Sequence, residues 1–404
     1  MEAIEDIVIV GAGLAGLATA LGLHRKGIKC LILEASPELR ASGFGFTMWT
    51  NAWRAMDALG IGDKLREHHV LGERLTILST SGKTLSDDCI SGVHGKSGFL
   101  EFRCVKRDLL LKTLKDELPT DTIRYSSKIV SIEKDGNLKL LHLVDGSIIK
   151  AKVLIGCDGV NSVVAKYLGL KKLSYSGRMA TRGLTEYESE HCFKPGFLQI
   201  IGGGHRAGII PCSEKSVYWF LTWIASEENK NVDESIEKMK DYAIRNLKNA
   251  NVSEGTIELI KQSEMGNVVS TPLKYRSPFS LLFSKITEDN VCVAGDALHA
   301  TTPEIGQGGC MALEDSVVLA RCLSEALLGS KKGGYGEYER IQGALKKFAK
   351  ERRWRSIKLI ALSYFVGFIQ QNADPFMSFI RERLLTRLIA NIYINFPIYD
   401  CGKL

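Results

Sequence analysis

The chain has 404 residues, of which 45% are hydrophobic and 25% are charged, and this composition excludes a largely disordered or repetitive protein. A chain of this length usually divides into two domains. The formal net charge of +7 does not indicate nucleic-acid binding, because much of the positive charge lies between Lys346 and Lys358, which we expect to be one solvated helix face.

The first predicted unit is a strand, a tight turn and a helix near the start of the chain. Ile7–Val10 is a short β-branched run, and Leu14–Lys26 has helical spacing. Three glycines lie between and just inside these elements. Gly11 permits the turn, Gly13 lets backbone approach a pyrophosphate, and Gly16 lets the helix pack closely on its strand.

A second apolar run, Cys30–Leu33, follows this helix and ends in Glu34. An acid about 20 residues after the glycines is placed to bind ribose hydroxyls, so the whole unit predicts a dinucleotide site. The alternative is a plain βα turn. The glycine pattern alone does not distinguish an NAD site from an FAD site, because both cofactors bind to the same βαβ unit.

A second sheet is predicted in the middle of the chain. Its strand-like runs are Met179–Leu184, Phe197–Ile201, Ala207–Ile210 and Val217–Ile224. Turns are expected at 202–204 and 211–215. We expect an antiparallel sheet of a substrate domain, joined by a hairpin at Leu75–Leu85. An amphipathic helix at Asp233–Leu247 and a strand at Asn267–Leu273 complete this part.

Two further apolar strands end in acidic turns. Val153–Ile155 leads into a turn that contains Asp158-Gly159, and Val291–Ala294 ends in Gly295-Asp296. After the second turn come Pro303 and the glycine-rich loop Gly306-Gln307-Gly308-Gly309, and helical spacing then runs from Cys310 to Leu323.

The last part of the chain is mostly helical by spacing, with breaks at Asp374-Pro375 and Phe396-Pro397. Its longest apolar stretch, Leu359–Ile369, is far shorter than the ~20 residues that cross a bilayer. The apolar face of these helices either packs on the substrate-domain junction or lies on a membrane surface. We favour packing, because most amphipathic helices face their own core.

The ten cysteines form no CxxC pair and no Cys/His spacing typical of metal ligands. Several lie inside apolar strands, such as Cys30, Cys157 and Cys292, and are expected to be reduced core residues. The first strand begins within a few residues of Met1, so we expect no signal peptide or transit peptide unless a longer precursor has been trimmed. We therefore expect a cytoplasmic protein without a metal site.

The three glycine and acid motifs, in this order, resemble those of the single-component (group A) FAD-dependent monooxygenases and aromatic hydroxylases. The likeness covers nearly the whole chain and is closest to plant monooxygenases related to zeaxanthin epoxidase and FAD-dependent urate hydroxylase. It implies an α/β fold in which a Rossmann-like FAD-binding domain carries an inserted antiparallel-sheet substrate domain and a C-terminal helical segment. The expected ranges are 1–74, 100–172 and 286–334 for the FAD-binding domain, 75–99 and 173–285 for the substrate domain, and 335–404 for the C-terminal segment.

The resemblance also implies which residues bind FAD. Glu34 and the first glycines correspond to ADP-binding positions, Asp158-Gly159 to a motif near the pyrophosphate, and Asp296 to the acid that binds ribityl or ribose hydroxyls. The loop from Pro303 corresponds to a segment along the isoalloxazine ring. The expected cofactor-binding residues are Gly11, Ala12, Gly13, Leu14, Ala15, Gly16, Glu34, Ala35, Arg40, Arg107, Asp158, Gly159, Gly295, Asp296, Pro303, Gly306, Gln307 and Gly308.

Some of these positions have other readings. Asp158-Gly159 could form only a β-turn, and Asp296 could cap the helix that follows it. Arg40 could be a solvated arginine at an exposed helix end, so Arg107 is the firmer of the two basic positions. We assign His299 a packing role rather than the role of a base.

Substrate contacts are implied at Arg206 and Tyr218, which correspond to the arginine and tyrosine that urate hydroxylases place near their substrate. An arginine could hold an anionic or carbonyl oxygen, and a tyrosine hydroxyl could polarise a ring. The alternative is a strand-end arginine and a core tyrosine.

The implied activity is an FAD-dependent monooxygenase that uses NADPH or NADH transiently, with O₂ and a small-molecule substrate as partners. It would hydroxylate or epoxidise an aromatic, heteroaromatic or isoprenoid compound through a flavin C4a-hydroperoxide. The chemistry belongs to the flavin, so no side chain is named as catalytic. The alternatives are a flavin reductase or oxidase without oxygen insertion, and a non-catalytic dinucleotide-binding protein.

Overall fold

The computed structural model describes residues 4–40, 44–90, 94–95, 98–229, 231–248, 252–329 and 336–404. The strands are β1 (Ile4–Val10), β2 (Leu31–Leu33), β3 (Gly45–Trp49), β4 (Arg74–Ser79), β5 (Thr84–Cys89), β6 (His94–Gly95), β7 (Gly98–Phe99), β8 (Phe102–Lys106), β9 (Ile123–Arg124), β10 (Ile129–Asp135), β11 (Leu138–Leu143), β12 (Ile148–Gly156), β13 (Ser174–Glu186), β14 (Gly196–Gly202), β15 (His205–Ser213), β16 (Ser216–Ile224), β17 (Val268–Tyr275), β18 (Thr287–Glu288) and β19 (Val291–Val293).

The helices are α1 (Leu14–Arg25), α2 (Thr50–Leu59), α3 (Gly62–Arg66), α4 (Arg107–Asp116), α5 (Val163–Tyr167), α6 (Ile236–Lys248), α7 (Glu254–Gln262), α8 (Pro278–Phe283), α9 (Asp296–His299), α10 (Gly308–Leu328), α11 (Glu337–Gln371), α12 (Pro375–Ile380) and α13 (Thr386–Asn395). A π-helical segment, Arg381–Leu385, joins the last two.

The first sheet has a parallel centre. Strand β1 lies between β12 and β2, β9 pairs with β2, and β19 pairs with β12, all in parallel. The antiparallel strands β10 and β11 extend the sheet beyond β12. The central strands are buried, which explains their continuous apolar runs. The helices α1 and α10 pack together over this sheet, where a Cβ on Gly22 would lie 2.8 Å from that of Ala320.

The second sheet has the strand order β17-β13-β16-β15-β14-β4-β5, so the predicted hairpin at Leu75–Leu85 joins it. It is antiparallel except for the pair β4 and β14. Pro211 was expected in a turn but lies in β15, opposite Val217. The pairing of β15 with β14 ends at Leu198 and Ile209, before Pro211, and a bulge in the pairing with β16 follows Pro211. The proline has no N–H, but no hydrogen bond to β14 is lost at this position.

One face of the second sheet is covered by α6 and α7. Met239 and Ala243 from α6 and Leu259 from α7 pack in one buried cluster with Trp219 and Trp223 of β16. The opposite face of the second sheet packs toward the first sheet. The cavities described below lie where the two sheets meet. This arrangement confirms the expected combination of a Rossmann-like domain with an inserted sheet.

The long helix α11 connects these parts. Its inner face is buried and includes Leu345, Phe348, Ile360 and Val366. Over the described ranges, none of the helices is both long enough and apolar enough to cross a membrane. One face of α11 packs on the protein.

The expectation of a solvated basic face at 346–358 was wrong for part of the segment. Arg352 is 0% exposed and donates hydrogen bonds to Asp315 (Nε to Oδ1, 2.6 Å) and Glu314 (Nη2 to Oε2, 2.6 Å) of α10. Arg355 also donates to Glu314, at 2.8 Å. The basic residues of this segment are therefore divided between a buried network and an exposed helix face.

The carboxylates of this buried network stay charged. Burial by itself raises the pKa of Asp315, but the charges of His299 and Arg352 hold that pKa below its usual value. The charges of Arg352 and Arg355 act against burial in the same way and lower the pKa of Glu314. The network therefore contributes stability that is lost as the pH falls through these lowered pKa values.

We expect Arg352→Met to lower the free energy of unfolding by about 3–5 kcal/mol, because it leaves two buried carboxylates without their main counter-charge. Thermal or urea unfolding followed by circular dichroism would measure the change. Lys350→Met, two residues away on the exposed side of α11, is the matched control and should change stability by less than about 0.5 kcal/mol. Equal effects of the two variants would contradict the structural role given to Arg352.

Candidate cofactor and substrate site

Two neighbouring cavities lie where the predicted motifs come together. The outer cavity holds about 640 Å³ and is lined by the β1–α1 turn, the end of β2 and the turn after β12. The inner cavity holds about 190 Å³ and lies between β3, the second sheet and the loop before α10. Phe44 lines the outer cavity and Gly45 lines the inner one, so the two adjoin at the start of β3.

The glycine turn forms one wall of the outer cavity at the N-terminus of α1. Gly11 has a φ of +97°, and a Cβ there would lie 2.7 Å from the carbonyl oxygen of Cys157. A Cβ on Gly16 would lie 1.9 Å from the Gly11 oxygen. Nothing lies within 4 Å of the Cβ position of Gly13, which faces open space. Gly11, Ala12 and Gly13 line the cavity, whereas Leu14, Ala15 and Gly16 pack behind it.

Glu34 lies at the end of β2 and lines the outer cavity next to Ala35. Its carboxylate accepts hydrogen bonds from the backbone N–H of Ala12 (2.8 Å) and of Ser36 (2.8 Å). These bonds fix the carboxylate against the glycine turn. The predicted ribose-binding acid and the predicted phosphate turn are therefore direct neighbours.

Two arginines face the same cavity from another side. Arg107 is the first residue of α4 and donates a hydrogen bond to the carbonyl of Arg40. Burial, followed by the nearby charge of Arg40, lowers the pKa of Arg107. Arg40 lies in a loop rather than at a helix end, its side chain is 74% exposed, and it is 3.7 Å from Glu34. Gly43, three residues further along the chain, lies outside the described residues.

Asp158 lines the outer cavity and also caps the helix after its turn. It accepts hydrogen bonds from the Ser162 hydroxyl (2.5 Å) and the Val163 N–H (2.7 Å) at the start of α5. Burial raises its pKa although these hydrogen bonds act in the opposite direction. Gly159, with a φ of +73°, has nothing within 4 Å of its Cβ position. The structure of this motif therefore fits both alternatives, a simple β-turn and a wall of the cofactor cavity.

The second acidic turn and the proline loop form the floor of the inner cavity. Gly295 has a φ of +59°, and a Cβ there would lie 2.7 Å from that of Ala15. The Asp296 carboxyl is open to the cavity but surrounded by protein, so burial raises its pKa although the charges of His299 and Arg182 lower it. The N-cap of α9 is Gly295, and Asp296 is the first residue of the helix.

The N-terminus of α10 points at the same cavity. The loop residues Pro303 and Gly306 line it together with Gly308, the first residue of the helix. Gln307 is 1% exposed, and its side chain lies away from the cavity, where its Oε1 accepts a hydrogen bond from Asn51 Nδ2 at 2.8 Å. Only the backbone of Gln307 is therefore placed to reach a ligand in this cavity.

The second sheet supplies the wall opposite this loop. Arg206 of β15 and Tyr218 of β16 both line the inner cavity, as the resemblance implied. The Arg206 guanidinium donates to the Glu304 carbonyl (3.0 Å) and the Gln199 side chain (3.3 Å), and it lies 4.6 Å from the centre of the Phe220 ring. Its Nη1 is buried and has no hydrogen-bond partner among the described atoms.

Arg182, which no sequence motif indicated, lies on β13 and also lines the inner cavity. It donates a hydrogen bond to Thr271 at 3.0 Å and lies 5.4 Å from the centre of the Phe44 ring. Ala180, two residues earlier, lines the same cavity, as expected for alternating residues of one strand. The available signal was a single charged residue inside the otherwise uncharged strand-like run Met179–Leu184.

His299 does not line either cavity. It is 0% exposed, and its Nε2 lies 2.7 Å from Oδ2 of Asp315. The same carboxylate oxygen accepts the backbone N–H of Gly295 at 2.8 Å. This contact agrees with the packing role that the sequence indicated.

These features fit a dinucleotide that spans both cavities. The outer cavity offers a helix N-terminus, an open glycine position and two arginines, which suit a pyrophosphate, and a carboxylate that suits ribose. The inner cavity offers a second helix N-terminus with flanking glycines, which suits a flat polar ring. A sequence model of the FAD binding domain matches residues 5–340.

The chain belongs to this family of FAD-binding proteins. Monooxygenase 2 of Arabidopsis thaliana is 46% identical over 409 residues, which cover 100% of this chain and 99% of that protein. Monooxygenase 1 of the same plant is 38% identical, with 98% and 99% covered. The crystal structure of Klebsiella pneumoniae HpxO complexed with FAD and uric acid is 23% identical, covers 98% of each chain and superposes with a TM-score of 0.81.

This member of the family is an FAD-dependent monooxygenase of the aromatic-hydroxylase type. The structural likeness to HpxO confirms the expected fold, and FAD is the cofactor that both the family and the cavities indicate. NADPH or NADH is the usual electron donor in this family.

We expect Gly13→Val to weaken FAD binding by about tenfold or more, because its side chain would occupy the open space at the α1 N-terminus where a phosphate is predicted. Titration of the apoprotein with FAD, followed by flavin fluorescence, would give the dissociation constant. Gly343→Val on the exposed side of α11, where a Cβ also meets nothing within 4 Å, is the control and should bind FAD normally. If Gly13→Val binds FAD with unchanged affinity, the glycine turn does not bind the phosphate.

Proposed function

We propose that this monooxygenase hydroxylates a flat, electron-rich aromatic or heteroaromatic compound that carries a carbonyl or anionic oxygen. The single observation that carries the proposal is the buried Arg206, whose unpartnered Nη1 belongs to a guanidinium on the wall of the inner cavity. HpxO, a structural relative, binds uric acid, a flat heteroaromatic molecule with several oxygens.

Arg206 is 2% exposed, so water satisfies little of its hydrogen-bonding capacity. A buried charged donor without a partner is costly, whereas a hydrogen bond from it to an anionic or carbonyl oxygen is strong. Two of its nitrogens are already fixed by Glu304 and Gln199. The remaining donor is therefore held in one orientation and favours a ligand that brings an oxygen.

The other walls favour a flat ring. Phe197 and Phe220 line the inner cavity with their ring centres 6.2 Å apart and their planes at 70°. Burial raises the pKa of Tyr218 to about 12, so its hydroxyl stays neutral near pH 7 and can donate or accept a hydrogen bond. Arg182 adds a second positive charge, which also favours an electron-rich or anionic compound.

We also propose that the predicted cofactor residues hold FAD across the two cavities. Glu34 would bind the adenosine ribose, the α1 N-terminus with Arg107 would bind the pyrophosphate, and Asp296 would bind hydroxyls nearer the ring. When bound, FAD supplies the hydride acceptance and oxygen activation that this family uses. The chain itself orients the substrate through Arg206 and Tyr218.

The protein also has to keep water from the inner cavity, since water there favours release of hydrogen peroxide. Tyr393 of α13 packs behind the wall of this cavity, because its hydroxyl donates to the Glu304 carbonyl at 2.5 Å and its ring stacks 5.6 Å from Trp49. The Glu304 carbonyl is the same atom that binds Arg206. We infer that the C-terminal segment supports the cavity wall and positions Arg206 through one shared acceptor.

We also propose the predicted domain ranges, because the strand pairing of the second sheet supports them. The strands of 75–99 and 173–285 that pair in the second sheet would form the substrate domain, and the rest of the chain up to 334 would form the FAD-binding domain. Several cysteines, among them Cys157, Cys292 and Cys310, are buried free thiols. This supports a reducing compartment such as the cytoplasm as the working location.

The proposed substrate class can be tested by anaerobic reduction of the FAD-loaded enzyme with NADPH, followed by flavin absorbance. Uric acid, other purines, small aromatic acids and neutral terpenoids would be compared. We expect an oxygen-bearing aromatic or heteroaromatic compound to accelerate reduction by about tenfold or more, and labelled oxygen from ¹⁸O₂ to enter its product. Acceleration by neutral terpenoids alone would contradict the proposed class.

We expect Arg206→Met to lower kcat/KM by about 10- to 100-fold and to raise the share of NADPH oxidation that ends in hydrogen peroxide. The reason is that the substrate oxygen loses its charged donor. Product and peroxide would be measured on the same samples. Arg74→Met, which removes an exposed arginine of β4 paired with Asp87, is the matched control. Unchanged coupling in Arg206→Met would remove this residue from the substrate site.

A further inference from the structure

The outward side of α11 carries aromatic and basic residues where a soluble helix usually carries mixed charges. At 100° per residue, the exposed basic and aromatic side chains of α11 fall within an arc of about 120°. They form a continuous stripe that is basic in its first half and aromatic in its second half. The members of this stripe are Lys346, Lys347, Lys350, Trp354, Lys358, Tyr364, Phe365 and Phe368.

Two short helices add aromatic residues beside the stripe. On α8, Phe279 is 77% exposed and Phe283 is 89% exposed. The helix is fixed to α11 because Arg353 donates hydrogen bonds to the carbonyls of Leu281 and Ser284. The helix α12, which follows α11 in the chain, has two more exposed rings, Phe376 and Phe379. We call the stripe and these four phenylalanines the aromatic-basic face.

The concentration of exposed rings on this face is unusual for a monomeric surface. Eight of the ten large aromatic side chains that are exposed among the described residues belong to α8, α11 and α12. Exposed apolar patches rimmed by polar residues mark interaction sites. Single exposed rings would need no explanation, but eight on adjoining helices indicate a surface that is covered in use.

The charge of the face restricts what can cover it. Between residues 340 and 373 the sequence has one acid, Glu351, and that side chain pairs with Arg321. The other two acids of α11, Glu337 and Glu339, lie in its first turn, before the first lysine of the stripe. Lys347 pairs with Glu325, while Lys346 and Lys350 have no acidic partner among the residues that the structure describes. Two copies of this face would repel each other. Anionic lipid headgroups would attract the lysines, and their interface would accept the rings.

We propose that the aromatic-basic face docks this enzyme on the surface of an anionic lipid bilayer. The phenylalanines and Trp354 enter the interface, and the lysines lie at the level of the headgroups. The opposite side of α11 stays packed on the protein, so docking needs no unfolding. The proposal does not depend on the identity of the substrate, because none of these residues lines the inner cavity.

Trp354 offers a direct test, because it is 65% exposed whereas Trp49, Trp53, Trp219 and Trp223 are at most 3% exposed. The FAD-loaded protein would be mixed with vesicles of phosphatidylcholine, with or without phosphatidylserine, that contain brominated acyl chains. We expect quenching of the tryptophan fluorescence and co-flotation only with the anionic vesicles, and both should weaken at high salt. Absence of flotation with the anionic vesicles would overturn the proposal.

Variants separate docking from misfolding. Phe279→Ser with Phe283→Ser, and separately Lys346→Gln with Lys350→Gln, should each lower vesicle binding by about tenfold or more. The matched controls are Val130→Ser with Val144→Ser, which are exposed apolar residues of another surface, and Lys112→Gln with Lys115→Gln on α4.

All of these variants should retain FAD binding, which gives a readout independent of membranes. Equal losses of vesicle binding in the test and control variants would also overturn the proposal. Sedimentation velocity gives a further test. If the protein does not bind vesicles but forms concentration-dependent dimers, and the Phe279→Ser, Phe283→Ser variant does not form them, the face binds a second copy of the chain and the proposal is overturned.

Discussion

The buried carboxylate of Asp315 is the constraint on which the acidic turn of the inner cavity depends. One of its oxygens accepts the backbone N–H of Gly295 and lies within hydrogen-bonding distance of His299, and the other accepts from Arg352. Three separate parts of the chain, namely α10, the turn after β19 and α11, therefore converge on one group. Because this group is buried, each contact is strong and the loss of any one is costly. The position of the acidic turn is thus determined by the buried charges of Asp315 and Arg352, which do not line the inner cavity.

The substrate wall depends on a similar arrangement around Glu304. Its side chain pairs with Arg178 at 2.6 Å, and its carbonyl accepts from Arg206 and from Tyr393. The second sheet, the loop before α10 and the C-terminal helices are consequently joined at one residue. A change in the C-terminal segment could therefore alter the orientation of Arg206 without any change to the cavity itself.

The sequence was informative wherever structure is determined locally. Gly11 and Gly16 occupy positions where a Cβ would collide with backbone, so their motif could be interpreted without knowledge of the rest of the fold. Arg352 could not be assigned in this way, because its partners lie 37 and 38 residues earlier on another helix and its neighbours in sequence are mostly exposed or half-exposed basic residues. Gln307 was found as part of a motif, but the direction of its side chain depends on Asn51, which no local pattern connects to it.

The cysteines near the inner cavity have a chemical consequence for an enzyme that handles oxygen. Cys310 lies in the first turn of α10, where burial raises the pKa of its thiol to about 12, and burial also raises the pKa of Cys104, on β8 beside β3, well above its usual value. Peroxides attack the thiolate rather than the thiol. These sulfur atoms lie behind the lining of the inner cavity and are held in the protonated form, which peroxide oxidises slowly.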